Sequence, residues 1–270
     1  MRIGNREFDT EHQTYVMGIL NVTPDSFSDG GKYSSLDQAL RHVEQMIGEG
    51  ADLIDIGGES TRPGYVQIPD DEEIYRVLPV IEAVKKRFDI PVSLDTYKSR
   101  VAKAGISAGA DMINDIWGLK QDPQIAAVIA AHGHVACCLM HNRKQADYVN
   151  FAADWYRDLE ESVRLAKEAG IGQDRIILDP GVGFAKTYEQ NLAAVRHLQE
   201  LHPLGYPLLL GTSRKSVIGL TLEVPAKERV TGTAVTTVFA VLYGCAFVRV
   251  HDVRENVQAI RMAQAVLRAQ

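Results

Sequence analysis

The side chains best suited to chemistry stand where short apolar runs of this 270-residue chain stop. Nearly every run ends in a carboxylate, an amide, a hydroxyl or a base, often with glycine close by. These residues are Asn21, Thr61, Asp95, Asn114, His141, Asp179, Lys215 and the pair Arg249 and His251. A single aspartate after a strand often only caps the next helix. The repetition at successive runs instead favours one polar site to which many strand ends contribute.

Positive charge in this site is local rather than general. Arg249 and His251 are two positions apart on one apolar run, so both side chains face the same side of a strand. The formal net charge of the chain is −6, so an anionic ligand would have to be held by such groups. The negative balance and the absence of a Lys/Arg run argue against a nucleic-acid binder.

Strands and helices that position these residues alternate along the chain. Strands are predicted at 15–20, 53–56, 92–95, 111–116, 135–140, 175–179, 207–211 and 246–251. Apolar stripes at helical spacing fill the intervals, for example Leu36, Leu40, Val43 and Ile47. Capping signals precede two of the stripes, a box of Ser35 with Gln38 and a pair of Asp70 with Glu73.

This alternation demands a mostly parallel sheet with right-handed crossovers. Eight units in a chain of this length fit a closed α/β barrel, and we predict a single (β/α)8 TIM barrel over residues 1–270. Residues 1–14 would form a short N-terminal cap at the bottom of the barrel. An open doubly wound sheet is the alternative, although no Gly-rich dinucleotide fingerprint follows the first strand.

Cysteine usage and hydropathy bear on the compartment. Cys137, Cys138 and Cys245 are odd in number and form no C-x-x-C pair, which predicts buried free thiols. Cys137 and Cys138 should point to opposite faces of a strand. No apolar run approaches the ~20 residues of a membrane span, and the N-terminal residues lack the apolar core of a signal peptide. We therefore predict a cytoplasmic protein.

Three strings carry a family resemblance: GILNVTPDSFSDGG at 18–31, GGESTRPG at 57–64, and Asp179-Pro-Gly followed by Phe184. With them the chain resembles the dihydropteroate synthases of the pterin-binding barrel family, from Gly18 to the helix after His251. The loop after the fifth strand departs from one common form, because it lacks a Gly-containing insertion. The resemblance implies condensation of 6-hydroxymethyl-7,8-dihydropterin diphosphate with 4-aminobenzoate, which gives 7,8-dihydropteroate and diphosphate.

The resemblance also implies roles for particular residues. Pterin and diphosphate would contact Thr61, Asp95, Asn114, Met140, Asp179, Phe184, Lys215, Arg249 and His251. The 4-aminobenzoate would lie against Phe27, Thr61, Arg62, Pro63 and Ser216, its carboxylate held by the helix terminus at Ser216 or by Arg62. Asn21 matches a position that binds Mg²⁺, the expected cofactor. Catalysis would fall to Asp95, Lys215, Arg249 and His251 through electrostatic stabilisation. From the residues alone, Phe184 could equally anchor a loop and Met140 could be simple core.

Other readings stay open. A pterin-binding methyltransferase domain would share the barrel but would not need the diphosphate group at Arg249 and His251. A catalytically silent pterin-binding paralogue and an unrelated phosphate-handling barrel are further alternatives.

The stretch 231–243 is apolar or small almost all round, whereas an outer barrel helix normally keeps a polar face. We therefore expect a homodimer. Its other expected partners are the two small-molecule substrates, and we expect it to bind neither nucleic acid nor a membrane.

Overall fold

The computed structural model describes residues 1–22, 32–60 and 66–269, with side chains from residue 35 onward in the second range. Strands in these ranges are β1 (Arg2–Ile3), β2 (Arg6–Glu7), β3 (Tyr15–Asn21), β4 (Leu53–Gly57), β5 (Val92–Asp95), β6 (Met112–Asp115), β7 (Ala136–Met140), β8 (Ile176–Asp179), β9 (Leu209–Leu210) and β10 (Phe247–Val250). Helices are α1 (Lys32–Glu49), α2 (Asp70–Arg87), α3 (Ser99–Ser107), α4 (Ile125–Ala131), α5 (Phe151–Glu168), α6 (Tyr188–Arg196), α7 (Ser216–Leu222), α8 (Val230–Leu242) and α9 (Val253–Arg268).

Eight of the strands form one parallel ring in the order β8-β7-β6-β5-β4-β3-β10-β9. The ring closes where Leu178 bridges Leu208 and donates its backbone N–H to the carbonyl oxygen of Pro207 at 2.9 Å. The (β/α)8 barrel is therefore confirmed, and the strands lie where the apolar runs predicted them. These strands are apolar almost throughout because helices cover the outside of the ring and side chains fill its inside.

The helices cover the ring with one apolar stripe each. On α2 the buried stripe is Val77, Val80, Ile81 and Val84, with acidic residues in the first turn and basic residues in the last, as the helix dipole favours. The side chain of Asn150 caps α5 by accepting the N–H of Ala153 at 3.1 Å. None of the helices in the described part of the chain is long and apolar enough to span a bilayer.

Both predicted capping signals are wrong. Helix α1 already begins at Lys32, so Ser35 lies inside it rather than at its N-terminus. Helix α2 follows Pro69 without a side-chain cap. Glu73 is instead turned to the ammonium of Lys98, which donates to its Oε2 at 2.7 Å, because a buried carboxylate needs a cationic partner more than a helix end needs a cap.

The interior of the ring differs between its two ends. At the N-terminal end of the strands, Ile3 and Phe8 from the β1–β2 hairpin pack under an apolar group that includes Met17, Leu53 and Phe247. Cys138 belongs to this inner group and Cys137 to the layer between strands and helices, which confirms their opposite directions. All three cysteines are free and buried, as predicted. The C-terminal end of the ring carries charged and polar residues.

Candidate functional site

Four inward-facing side chains form a hydrogen-bonded network at the C-terminal end of the ring. Arg249 donates from Nε to Asp55 Oδ2 at 2.6 Å and from Nη2 to Asp95 Oδ2 at 2.7 Å. Asn114 Nδ2 donates to the same Asp55 oxygen at 3.1 Å. Strand register explains the proximity, since Asp95 stands opposite Asn114 in the ladder between β5 and β6. One guanidinium thus joins two carboxylates that come from different strands.

Each carboxylate in this network keeps one oxygen to which none of the described residues donates. Asp55 Oδ1 and Asp95 Oδ1 are buried and accept no hydrogen bond from any described residue. Leaving a buried acceptor unsatisfied costs about 1–3 kcal/mol. Native structures therefore reserve such atoms for a ligand, a water or a catalytic role. The two oxygens can receive N–H donors from a bound molecule.

Burial shifts the pKa values of the ionisable groups in the site so that their uncharged forms are favoured. It raises the pKa of Asp95 to about 7, against the attraction of Arg249 and with the help of the neighbouring Asp55 charge. It also raises the pKa of Asp179 and lowers the pKa of Lys215 to about 8, although the Asp179 charge opposes the latter shift. Such perturbed groups gathered in one place are typical of a binding or catalytic site.

An apolar flank borders the charged groups. Met140, which is 3 % exposed, packs in a cluster with Tyr97 and Ile116, and Phe184 lies against that cluster. The Lys215 ammonium lies 4.8 Å from the centroid of the Phe184 ring, within range of a cation–π contact. It also donates to the carbonyl oxygen of Val182 at 2.5 Å. A flat ring would find apolar contacts on this side and hydrogen-bonding groups on the other.

Arg249 and His251 share one side of the barrel, as their spacing predicted, but contact different groups. Arg249 points to the two carboxylates, whereas His251 Nδ1 lies 2.9 Å from Ser213 Oγ. The Ser213 hydroxyl oxygen also accepts the backbone N–H of His251 at 3.0 Å. Ser216, the first residue of α7, is exposed. Phe27, Thr61, Arg62 and Pro63 lie outside the described residues.

Asn21 ends β3 at the mouth of the barrel and is exposed. It stands opposite Gly57 in the ladder to β4. A Cβ built on Gly57 would lie 3.9 Å from Asn21 Oδ1 and 3.7 Å from Asp95 Oδ2, so both oxygens flank the space above that glycine. The described ranges hold no group of three or more His, Cys, Asp or Glu side chains arranged for a metal.

Sequence reasoning missed Asp55 and misplaced His141. Asp55 lies inside an apolar run rather than at its end, and a charged residue within a strand that is buried on both faces was the signal that could have found it. Ser213 was missed as well, because a serine in a polar loop carries no such signal. His141 follows β7 as predicted, but the structure brings it to Asp158 on α5, at 2.9 Å, and to Lys186, at 2.8 Å.

Comparison with known proteins adds a consistent set of relatives. The family described as pterin binding enzyme matches residues 17–251. A curated dihydropteroate synthase from Clostridium beijerinckii is 56% identical over 99% of this chain and 100% of the relative. The crystal structure of a dihydropteroate synthase from Clostridium difficile, obtained in the presence of pteroic acid, superposes with a TM-score of 0.94 at 49% identity, covering 97% of this chain and 100% of that one. A dihydropteroate synthase from Xanthomonas albilineans with 4-aminobenzoic acid gives a TM-score of 0.91 at 43% identity, covering 96% and 94%.

Proposed function

This chain belongs to the family of pterin binding enzymes, and on that basis we propose that it condenses 6-hydroxymethyl-7,8-dihydropterin diphosphate with 4-aminobenzoate. The products are 7,8-dihydropteroate and diphosphate. The observation that carries the proposal is the pair of buried carboxylate oxygens on Asp55 and Asp95 that have no partner among residues 1–22, 32–60 and 66–269. The curated relatives of high identity carry the name of this activity.

The pterin ring matches the composition of the pocket. Its edge carries amide-like donors and acceptors, which Asp95, Asn114 and Asp179 can pair when the ring is buried. Lys215 can leave the Val182 carbonyl to donate to the ring carbonyl. Met140 and Phe184 then pack against the ring. Each group left unpaired would cost about 1–3 kcal/mol, so the set discriminates against flat molecules with a different hydrogen-bonding edge.

The diphosphate lies toward Arg249 and His251, and Thr61 is its further predicted contact. The donors that remain on Arg249 beyond its two carboxylate bonds, together with His251, stabilise the negative charge of the leaving group. Asn21 fits Mg²⁺ because an amide oxygen is a hard ligand and Mg²⁺ keeps several waters while it binds substrate phosphates. Bound Mg²⁺ would neutralise phosphate charge.

The reaction is a substitution at the methylene carbon of the pterin. The amine nitrogen of 4-aminobenzoate forms the new C–N bond, the C–O bond breaks, diphosphate leaves with the electron pair, and the nitrogen passes one proton to water. Asp95 stabilises the positive charge that develops on the pterin methylene, and Arg249 and His251 stabilise the departing anion. The buried thiols take no part in this step.

The second substrate lies toward α7 and the two loops that follow β3 and β4. Ser216 at the start of α7 and Arg62 are the alternatives for its carboxylate, and Phe27, Thr61 and Pro63 complete the predicted contacts.

The free buried thiols are compatible with the reducing cytoplasm, which remains the predicted compartment.

The chain acts as a homodimer in this proposal. Val235, Phe239 and Leu242 on α8 are 52%, 38% and 51% exposed, and Met262 and Val266 on the neighbouring α9 are also exposed. Monomeric proteins seldom leave contiguous apolar surface of this kind uncovered, and a two-fold contact buries it on both copies. Light scattering at micromolar concentration should give twice the mass of the chain, and a monomer mass would contradict the dimer.

The activity is tested by mixing the protein with pterin diphosphate, 4-aminobenzoate and Mg²⁺. Dihydropteroate and diphosphate should appear in equal amounts, and leaving out either substrate should stop both. The Asp95→Asn variant serves as the matched protein control. Binding of the pterin without any product would instead identify a catalytically silent paralogue.

A further inference from the structure

Side chains from several elements hold the backbone carbonyls of residues 180–187, which we call the β8 loop. For residues 180–185 the side-chain donors are Trp155 Nε1 to Pro180 O (2.9 Å), Lys186 Nζ to Gly181 O (2.9 Å) and Phe184 O (3.1 Å), Lys215 Nζ to Val182 O (2.5 Å), and Tyr148 Oη to Ala185 O (2.9 Å). A loop normally leaves such carbonyls to water. This one is fixed from both sides, because Lys215 donates to it from within the candidate site and Lys186 from its other flank.

Lys186 makes two of these contacts and is itself fully engaged. Its third contact is His141 Nδ1 at 2.8 Å, so the three N–H donors of the ammonium meet three acceptors. Burial lowers the pKa of His141 to about 4, so the imidazole is neutral. Its Nδ1 accepts from Lys186, and its Nε2 therefore donates to Asp158 Oδ2 at 2.9 Å. A neutral imidazole thus joins an ammonium to a carboxylate.

The chain of contacts continues from Lys186 to the pterin side of the site. The Gly181 carbonyl accepts from Lys186, and the Gly181 N–H donates to Asp179 Oδ1 at 2.7 Å. Gly181 has a φ of +69°, and a Cβ there would lie 1.9 Å from the His141 carbonyl oxygen, so the loop packs directly on the residue that binds Lys186. The second carbonyl held by Lys186 is that of Phe184. The Lys186 ammonium thus reaches the Asp179 carboxylate through Gly181, by two hydrogen bonds, and it contacts Phe184 directly at the backbone carbonyl.

We propose that Lys186 is a positioning residue of the pterin site, which holds Asp179 and Phe184 in the arrangement that receives the ring through the β8 loop. His141 and Asp158 hold its ammonium in place. This inference rests on the proposed function and adds a residue that does not touch the substrate.

The cost of the arrangement supports a role beyond folding. Burial lowers the pKa of Lys186 to about 7, although the charges of Asp179 and Asp158 oppose the shift. A methionine of similar length would fill the same space without that desolvation penalty. Lys120 offers a matched comparison, because burial lowers its pKa too and its Nζ donates to the Asp158 carbonyl at 2.9 Å and to Ser162 Oγ at 3.1 Å, with no bond to the β8 loop.

The test compares Lys186→Met with Lys120→Met in steady-state kinetics. We expect Lys186→Met to raise the KM for pterin diphosphate about tenfold, with kcat and the KM for 4-aminobenzoate changed by less than about twofold, because a misplaced pocket loses uniform binding. Lys120→Met should leave all three constants near those of the parent. Amide exchange of residues 181–185 should be faster only in Lys186→Met.

Each outcome decides the proposal. Equal shifts of the pterin KM in both variants, or a loss of thermal stability in Lys186→Met with an unchanged pterin KM, would overturn it. If Lys186→Met does not fold, His141→Leu takes its place, with an expected rise of about threefold in the pterin KM alone; a rise in both KM values would overturn the proposal there. The parent protein run alongside separates the two questions, since absence of product from the parent refutes the proposed function instead.

Discussion

A single strand passes through two different interiors of this barrel. Phe247 at the start of β10 packs against Phe8, with ring centroids 5.4 Å apart, in the apolar bottom of the ring. Arg249, two residues later on the same face, bridges Asp55 and Asp95 at the top. These two side chains point the same way but have different roles. Phe247 stabilises the ring, whereas Arg249 belongs to the site that binds a ligand.

The two ends also differ in how well their groups are satisfied. The bottom is a close-packed apolar layer. At the top, two carboxylates share one guanidinium, and each keeps an oxygen that is unpartnered within the described part of the chain. Buried charges of this kind weaken the folded state, and proteins retain them where activity requires them. Substitutions at the bottom should therefore lower stability, and substitutions at the top should lower activity.

The largest effect is expected at the bottom. Phe247→Ala should lower the free energy of unfolding by about 3–5 kcal/mol, because the cavity between Phe8 and Tyr15 cannot fully collapse. Turnover per folded molecule should stay near that of the parent. Denaturant titration and a turnover assay measure both, with the half-exposed Leu192→Ala as control. A selective loss of turnover in Phe247→Ala would contradict the division between the two ends.

At the top, Asp95→Asn should lower turnover at least about a hundredfold, since the amide cannot stabilise the developing positive charge. The amide oxygen can still accept from Arg249, so the fold should persist. The control is Asp71→Asn, whose side chain is 77% exposed. Turnover near that of the parent in a folded Asp95→Asn would remove Asp95 from the mechanism.

The same variant should be more stable than the parent at neutral pH. Burial raises the pKa of Asp95 from 3.8 to about 7, so this group favours the folded state below pH 4 and loses that contribution as the pH rises through 7. The difference in the free energy of unfolding between Asp95→Asn and the parent should therefore widen from pH 4 to pH 7. Thermal unfolding across this range measures it, and a difference independent of pH would count against a buried, strained carboxylate.

His251→Ala should weaken binding of pterin diphosphate about tenfold and leave the pterin alcohol unaffected, as expected for one lost charge-assisted hydrogen bond. Arg249→Ala should weaken both ligands, because its loss leaves Asp55 and Asp95 side by side without a cation. Calorimetry with the two ligands distinguishes these results. A uniform loss in His251→Ala would place that residue in the pterin pocket instead.

The smallest effect concerns the reactivity of the buried cysteine thiols in and next to the strands. Burial raises the pKa of Cys137 to about 12 and that of Cys138 well above its usual value, so neither thiolate forms at neutral pH. A thiol reagent should leave the folded protein unmodified over an hour and react with all three cysteines in guanidinium. Rapid modification of the folded parent would show that the packing around these strands opens readily.

The sequence predicted the ring better than the network inside it. Strand positions follow from apolar runs, and the polar residues at their ends predicted the end of the barrel at which Asp95, Asn114 and Arg249 meet. The charge of Asp55 inside an apolar strand was a local signal, but its pairing with Arg249 joins residues 194 positions apart, which no local pattern encodes. The helix caps failed for a related reason, since tertiary contacts such as the bond between Glu73 and Lys98 override a short-range motif.

The order of strands has a consequence for synthesis on the ribosome. β10 comes after every other strand of the ring in the chain, yet it lies between β3 and β9 and pairs Phe247 with Tyr15. Until it emerges, β3 and β9 keep open edges, which are templates for association between nascent chains. Before β10 is synthesised, Asp55 and Asp95 also lack the guanidinium of Arg249. Translation that stalls before β10 would therefore leave an unclosed sheet in which the two carboxylates repel each other. Chaperones and proteases would act on such a chain, and it would have no activity.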